Sequence, residues 1–274
     1  MSSTIQELYD GKVQLNFQES TGKHRYLRKR FGIDSKFGNV PGVTTIIKDA
    51  LNSGPPMTWP MYEAVKYIKA NGDYHAEAGD LPYWLVDEST LEASTKAFVR
   101  KSDVGKDTGT AVHNAIEARL VGKPYEVPPE AQKAITGFEK WLESEEMKGL
   151  SVLAAEKIIY SKDGDYAGKF DLLFSLKGRI VLADYKTTNK SQFAPKGVYW
   201  DNFIQLGGYG YALTEMDNMS IDDYCVINVG KDGVLNTVYA SELGLAVEDC
   251  DMGFIAALEI YRLKNKLVRR LRNE

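Results

Sequence analysis

The chain has 274 residues, 43% of them apolar and 26% charged, with a formal net charge of −4. That balance suits a globular protein with a sizeable core and excludes a disordered chain, while two cysteines, Cys225 and Cys250, are too few for a disulfide framework or an iron–sulfur cluster. No apolar run approaches the ~20 residues of a membrane helix, and MSSTIQELYDGK lacks the basic start and apolar stretch of a signal peptide, so a cytoplasmic protein with no membrane partner is expected.

VQLNFQES and HRYLRKRF alternate apolar and polar residues around Thr21-Gly22-Lys23, which predicts an N-terminal hairpin. After GNVPG, VTTIIKDAL reads as a short helix and PMTWPMYEAVKYIKANG as a longer one, with Pro60 tolerable in its first turn. Helical periodicity continues through ESTLEASTKAFVRKS and TGTAVHNAIEARLVG, and then through PPEAQKAITGFEKWLESEE, entered by two prolines as a first turn allows. From about Ser151 the period changes. SVLAAEKIIYS, DYAGKFDLLFSL and RIVLADYKTT are strand-like runs separated by turns containing Asp-Gly and Lys-Gly. A helix over VYWDNFIQLGGYGYALTEM follows, then strands DYCVINVG and VLNTVYA around Lys231-Asp232-Gly233, and a long amphipathic helix from about Glu242. With no internal repeat or low-complexity linker, a single α/β domain over 1–274 is the economical reading. Its N-terminal hairpin and helical extension would cover 1–105 and its core 106–241.

Positive charge gathers in KHRYLRKR (Lys23 to Arg30) and RLKNKLVRRLR (Arg262 to Arg272). Either could meet phosphates, with Tyr26 or Phe31 available for stacking in the first, or form a solvated strand and a solvated helix face.

The chemistry concentrates in the hairpin around Lys177-Gly178. Asp184 and Lys186 are two apart on a strand and leave the same face, whereas Tyr185 points to the other. Asp171 is about as far from the turn as Asp184, so the two carboxylates are expected opposite each other. Like charges so close raise one pKa unless a cation lies between them, and oxygen-rich sets suit Mg²⁺ or Mn²⁺. Lys186 fits beside a phosphate and an attacking water; a surface ion-pair network of Asp171, Lys186 and Asp184 is the bland alternative. His113 and Glu117 share a helix face at i, i+4, which offers either a satisfied core histidine or a third ligand with its supporting carboxylate. Gln205 and Tyr209 share another, thinned by Gly207, Gly208 and Gly210, glycines that cost roughly 1 kcal/mol each in a helix and so call for a close-approach reason.

The ordered set GTxxH (Gly109 to His113), Glu156 in AAEKIIYS, GxxD (Gly168 to Asp171), DYKT (Asp184 to Thr187) and QxxxY (Gln205 to Tyr209) resembles the RecB-like branch of the PD-(D/E)XK nucleases, which includes phage lambda-type exonucleases. The motifs span Gly109 to Tyr209, and Phe170 stands where the family name has proline. The resemblance implies a restriction-endonuclease-like α/β core, a central mixed sheet flanked by helices. It implies Mg²⁺ or Mn²⁺, one or two ions, on His113, Asp171, Asp184 and the backbone carbonyl of Tyr185, with Lys186 the catalytic lysine. Glu117, Glu156, Gln205 and Tyr209 would support the site or the substrate, and no iron–sulfur cluster is expected. It further implies a metal-dependent DNA nuclease, an exonuclease acting on single-stranded or duplex ends in phage-type recombination, replication or repair, with a recombination or replication protein as a possible partner and a phage gene expressed in a bacterial host as the setting. A noncatalytic nucleic-acid-binding subunit that keeps the fold is the alternative.

Overall fold

The computed structural model describes residues 2–20, 23–51, 58–77, 81–188 and 198–272. These fall into two compact units, Met1–Ser53 with Gly109–Glu274, and Gly54–Thr108.

The larger unit opens with β1 (Ser2–Leu8), β2 (Val13–Ser20), β3 (Lys23–Arg30) and β4 (Gly38–Val40), an antiparallel sheet in that order, followed by α1 (Val43–Leu51). The expected hairpin is β2–β3; its Thr21-Gly22 turn lies outside the described residues. Strand β1 was not anticipated. It is an edge strand with no buried residue among Thr4 to Leu8, so it lacks the apolar alternation that marks a half-buried strand. In β2 the period-2 rule holds, since Val13, Leu15 and Phe17 are all buried with Tyr26 and Val40 against Ile158, Tyr160 and Ala167. Two cations of the first basic cluster are ion-paired here: Arg28 binds both Asp165 and Asp34 through its guanidinium, and Arg30 binds Asp34.

The smaller unit holds α2 (Thr58–Asn71), the short antiparallel strands β5 (Asp73–His75) and β6 (Tyr83–Leu85), and α3 (Glu88–Thr95). The next helix, α4 (Ala97–Leu120), runs on into the larger unit from Gly109. The helical run expected through ESTLEASTKAFVRKS is interrupted at Lys96. There the hydroxyls of Ser94 and Thr95 bond back to the carbonyls of Leu91 and Glu92, a local competition that weakens a helix end.

After α5 (Gln132–Leu142), five strands build the main sheet: β7 (Ser151–Ser161), β8 (Tyr166–Leu176), β9 (Arg179–Thr188), β10 (Asp223–Gly230) and β11 (Leu235–Tyr239), in the order β11-β10-β9-β8-β7. The sheet is mixed. Only β9 and β10 pair in parallel, and that pairing requires the crossover helix α6 (Trp200–Asp217) between them. The turn between β8 and β9 is the two-residue Lys177-Gly178, both at positive φ (51° and 81°), as a type I′ hairpin turn demands. The closing helix is α7 (Val247–Leu271).

Helices cover both faces. Leu173, Leu182, Tyr224 and Val226 pack with residues of α1, α6 and α7, while Leu172, Phe174, Val181, Ala183, Tyr185 and Ile227 pack with residues of α4 and α5. This is a central mixed sheet flanked by helices, the architecture expected for the core. The glycines of α6 prove to be clearance for its neighbours: a Cβ on Gly207 would lie 2.2 Å from the Cys250 carbonyl oxygen, and one on Gly210 1.8 Å from the Tyr224 hydroxyl.

Candidate active site

The site forms where β8 and β9 part. Their ladder runs from Leu176 opposite Arg179 to Leu172 opposite Ala183, and the next step would set Asp171 against Asp184. Instead the Asp171 carboxylate, through Oδ2, accepts the Tyr185 backbone N–H at 2.7 Å. A side chain thus satisfies a main-chain donor that a regular ladder would satisfy with a carbonyl. On the other side, β7 pairs Ala155 with Leu172 and Lys157 with Phe170, and Glu156 between them sits at φ 51°. A left-handed backbone in a non-glycine residue within a strand is uncommon, and such strain is found where surrounding structure holds a side chain in place.

Helix α4 delivers the imidazole. Gly109 approaches β9 so closely that a Cβ would lie 2.9 Å from the Thr187 hydroxyl, and His113, one turn later, shares that face. His113 Nδ1 stands 3.8 Å from Asp171 Oδ2, and its ring meets the edge of Tyr185 at 5.8 Å between centroids. One ligand atom each from His113, Glu156 and Asp171 lie within 4.8 Å of one another. The carboxylate of Glu156 is also ion-paired with Lys169.

Asp184 and Lys186 leave the opposite face of β9, toward α6. Asp184 Oδ1 accepts from Gln205 Nε2 at 2.9 Å, the Lys186 ammonium donates to Gln205 Oε1 at 3.0 Å, and Gln205 Nε2 reaches the Tyr209 hydroxyl at 2.9 Å. Lys186 Nζ also lies 2.5 Å from Asp184 Oδ2, an ion pair on the same buried face. The side chains of His113 and Lys186 remain 31% and 29% exposed, whereas Asp184 is at 3%. A solvent-borne group therefore reaches the cluster past the imidazole and the ammonium.

Electrostatics agree with that crowding. Burial, then the charge of Asp184, raises the Asp171 carboxyl far above the usual carboxylate range; burial, then Asp171, pushes Glu156 up to about 7. Burial lowers the His113 imidazole. For Lys186 burial acts downward, but Asp184 and Asp171 outweigh it and hold the ammonium above its ordinary value. Near neutral pH the raised Asp171 and Glu156 carboxyls are not both fully ionised, and a further cation beside them would favour the ionised forms. A neutral imidazole nitrogen and the carboxylate oxygens of Asp171, Glu156 and Asp184 make a donor set that fits Mg²⁺ or Mn²⁺.

Among the residues singled out from the sequence, His113 and Asp171 come together, Asp184, Lys186, Gln205 and Tyr209 form one network, and Tyr185 contributes its N–H to Asp171. Glu156 stands with His113 and Asp171 rather than behind them. Glu117 lies farther along α4, where its charge acts on Lys169. Lys169 was missed. Its place two residues before Asp171 on one strand, mirroring Asp184 and Lys186, was the available signal.

No protein-family model matches the sequence, and no curated protein does. Solved structures with partial similarity include a candidate exonuclease from Eubacterium rectale, 15% identical over 58% of this chain and 68% of that one, with a TM-score of 0.40. Another is an alkaline exonuclease from Laribacter hongkongensis, 12% identical over 68% of this chain and 89% of that one, with a TM-score of 0.28. Similarity at this level leaves the functional reading to the site itself.

Proposed function

We propose that the chain is a divalent-metal-dependent DNA nuclease, an exonuclease hydrolysing phosphodiester bonds at single-stranded or duplex ends. The observation that carries this reading is the junction at Asp171: His113, Glu156 and Asp171 offer three ligand atoms within 4.8 Å, beside an Asp184–Lys186–Gln205 network. Mg²⁺ or Mn²⁺ would be held by His113, Asp171 and Asp184, with the Tyr185 carbonyl and Glu156 at hand. Such an ion, when bound, supplies charge neutralisation at a phosphate and a lower pKa for a bound water.

The protein's own groups supply the rest. Gln205 fixes the Lys186 ammonium and the Asp184 carboxylate at once, so Nζ can donate to a phosphate oxygen or to the attacking water without reorganising. Tyr209 limits the rotation of Gln205 from behind. The motif order from Gly109 to Tyr209 supports a phage-type setting in recombination, replication or repair.

The test uses end-labelled single- and double-stranded DNA with either strand end blocked, in Mg²⁺ and in Mn²⁺. Degradation by the wild type is expected to fall by about 10²–10³-fold or more in Asp184→Ala and in Lys186→Ala, with the fold retained by circular dichroism. A wild-type protein that leaves every substrate intact in both ions refutes the reading.

A further inference from the structure

Helix α7 has two apolar faces. One, containing Cys250, Phe254, Ala257 and Leu258, is buried in the core shared with α6 and the sheet. The other carries Met252, Ala256, Ile260, Leu263, Leu267 and Leu271, all exposed, the five larger side chains from 48% at Ile260 to 83% at Leu271. At 3.6 residues per turn these six fall within an arc of about 100° and extend along roughly 28 Å of helix. An amphipathic surface helix presents one apolar stripe to its core and polar residues opposite; a second continuous stripe marks an interaction face.

The arrangement of this stripe points to its occupant. Successive members are spaced 4, 4, 3, 4 and 4 residues apart, which reads the same in both directions. A second α7 laid antiparallel, with a two-fold axis between Tyr261 and Arg262, sets Met252 against Leu271, Ala256 against Leu267 and Ile260 against Leu263. Charge obeys the same symmetry. Glu248, Asp249, Asp251 and Glu259 are the acidic residues of the helix, and beyond Glu259 every charged residue to Arg272 is basic. Antiparallel pairing brings each acidic end beside the other copy's basic end, and Glu259 on the stripe's flank beside the other copy's Lys266. Parallel pairing would stack like charges. The helix dipoles also oppose favourably in the antiparallel arrangement.

We propose that this face of α7 is a self-association surface through which two copies of the chain pair antiparallel about a two-fold axis. Such an interface is isologous, so each contact occurs twice.

Sedimentation equilibrium of the full chain at low salt, from micromolar upward, tests it. A reversible monomer–dimer equilibrium is expected for the wild type. Leu263→Glu combined with Leu267→Glu should weaken it by about tenfold or more, with circular dichroism and thermal midpoint unchanged. Glu259→Lys and Lys266→Glu should each weaken pairing, and the two in one chain should restore it, because the symmetry re-forms the pair with reversed sign. A wild type that stays monomeric at every concentration overturns the proposal, as does a dimer indifferent to the leucine changes. Charge changes that weaken pairing additively without rescue also overturn it, and so does assembly that appears only when DNA is added, which would give the face to nucleic acid.

Discussion

Asp251 shows how a single buried carboxyl sets a pH dependence. Its Oδ1 accepts the Tyr224 hydroxyl at 2.5 Å, and its pKa is raised to about 6 chiefly by burial, opposed by that hydrogen bond and reinforced by Glu248. The unfolded chain releases the same proton near pH 3.9. Between these values the folded state binds more protons than the unfolded one, so this group's contribution to stability falls as pH rises from about 4 to about 6 and stays low above it. Asp251→Asn keeps an acceptor for Tyr224 and removes the charge. Its melting temperature is expected to exceed that of the wild type at pH 7 and to converge with it by pH 4, read by thermal scans across that range. Glu156 shows the other limit at this scale. Composition and spacing gave it no distinction from other strand carboxylates, because its role depends on a left-handed backbone and on a ladder skipped at one residue.

At the scale of elements, α6 illustrates two opposed effects whose sizes decide the outcome. Replacing a helical glycine by alanine gains about 1 kcal/mol of intrinsic propensity. At Gly207, however, the new Cβ would lie 2.2 Å from the Cys250 carbonyl oxygen and 2.8 Å from the Asp251 amide nitrogen, backbone atoms that move only if α7 moves. Overpacking of that kind typically costs 1–3 kcal/mol. Gly207→Ala is therefore expected to lower the urea midpoint of unfolding, the opposite of the propensity expectation. The hairpin of β8 and β9 was readable beforehand because its information is local: alternation gives the strands, and Lys177-Gly178 gives the turn and hence the register. Strand β1 and the break at Lys96 were not, since one lacks buried alternation and the other turns on hydroxyl-to-carbonyl bonds at a helix end.

For the whole molecule, the packing of the first sheet against β7 and β8 places it with the strands of the main sheet, while Gly54–Thr108 forms its own unit. The cluster at Asp171 joins α4, β7 and β8 and abuts β9, so an ion bound there links elements far apart in sequence. Ligand binding to the native state alone stabilises by RT ln(1 + [L]/Kd), about 2.7 kcal/mol at a hundredfold excess over Kd. Adding Mn²⁺ is expected to raise the melting temperature of the wild type, and the rise should be lost in His113→Ala and in Asp171→Asn. An equal shift in both variants would place the ion elsewhere.

The sequence by itself determined the β2–β3 hairpin and the five strands of the main sheet, the turn between β8 and β9, the shared face of Asp184 and Lys186, and the helix pairs Gly109–His113 and Gln205–Tyr209, because each follows from local turn chemistry or a period of two or 3.6 residues within one element. Only the tertiary structure decided that the carboxylate of Asp171 displaces a ladder bond to Tyr185, that Glu156 pairs with Lys169 and Asp184 with Lys186, and that α6 lies against Cys250 and Tyr224. Those outcomes depend on where strands separate and how closely helices approach, quantities that arise between elements and leave no period in the chain.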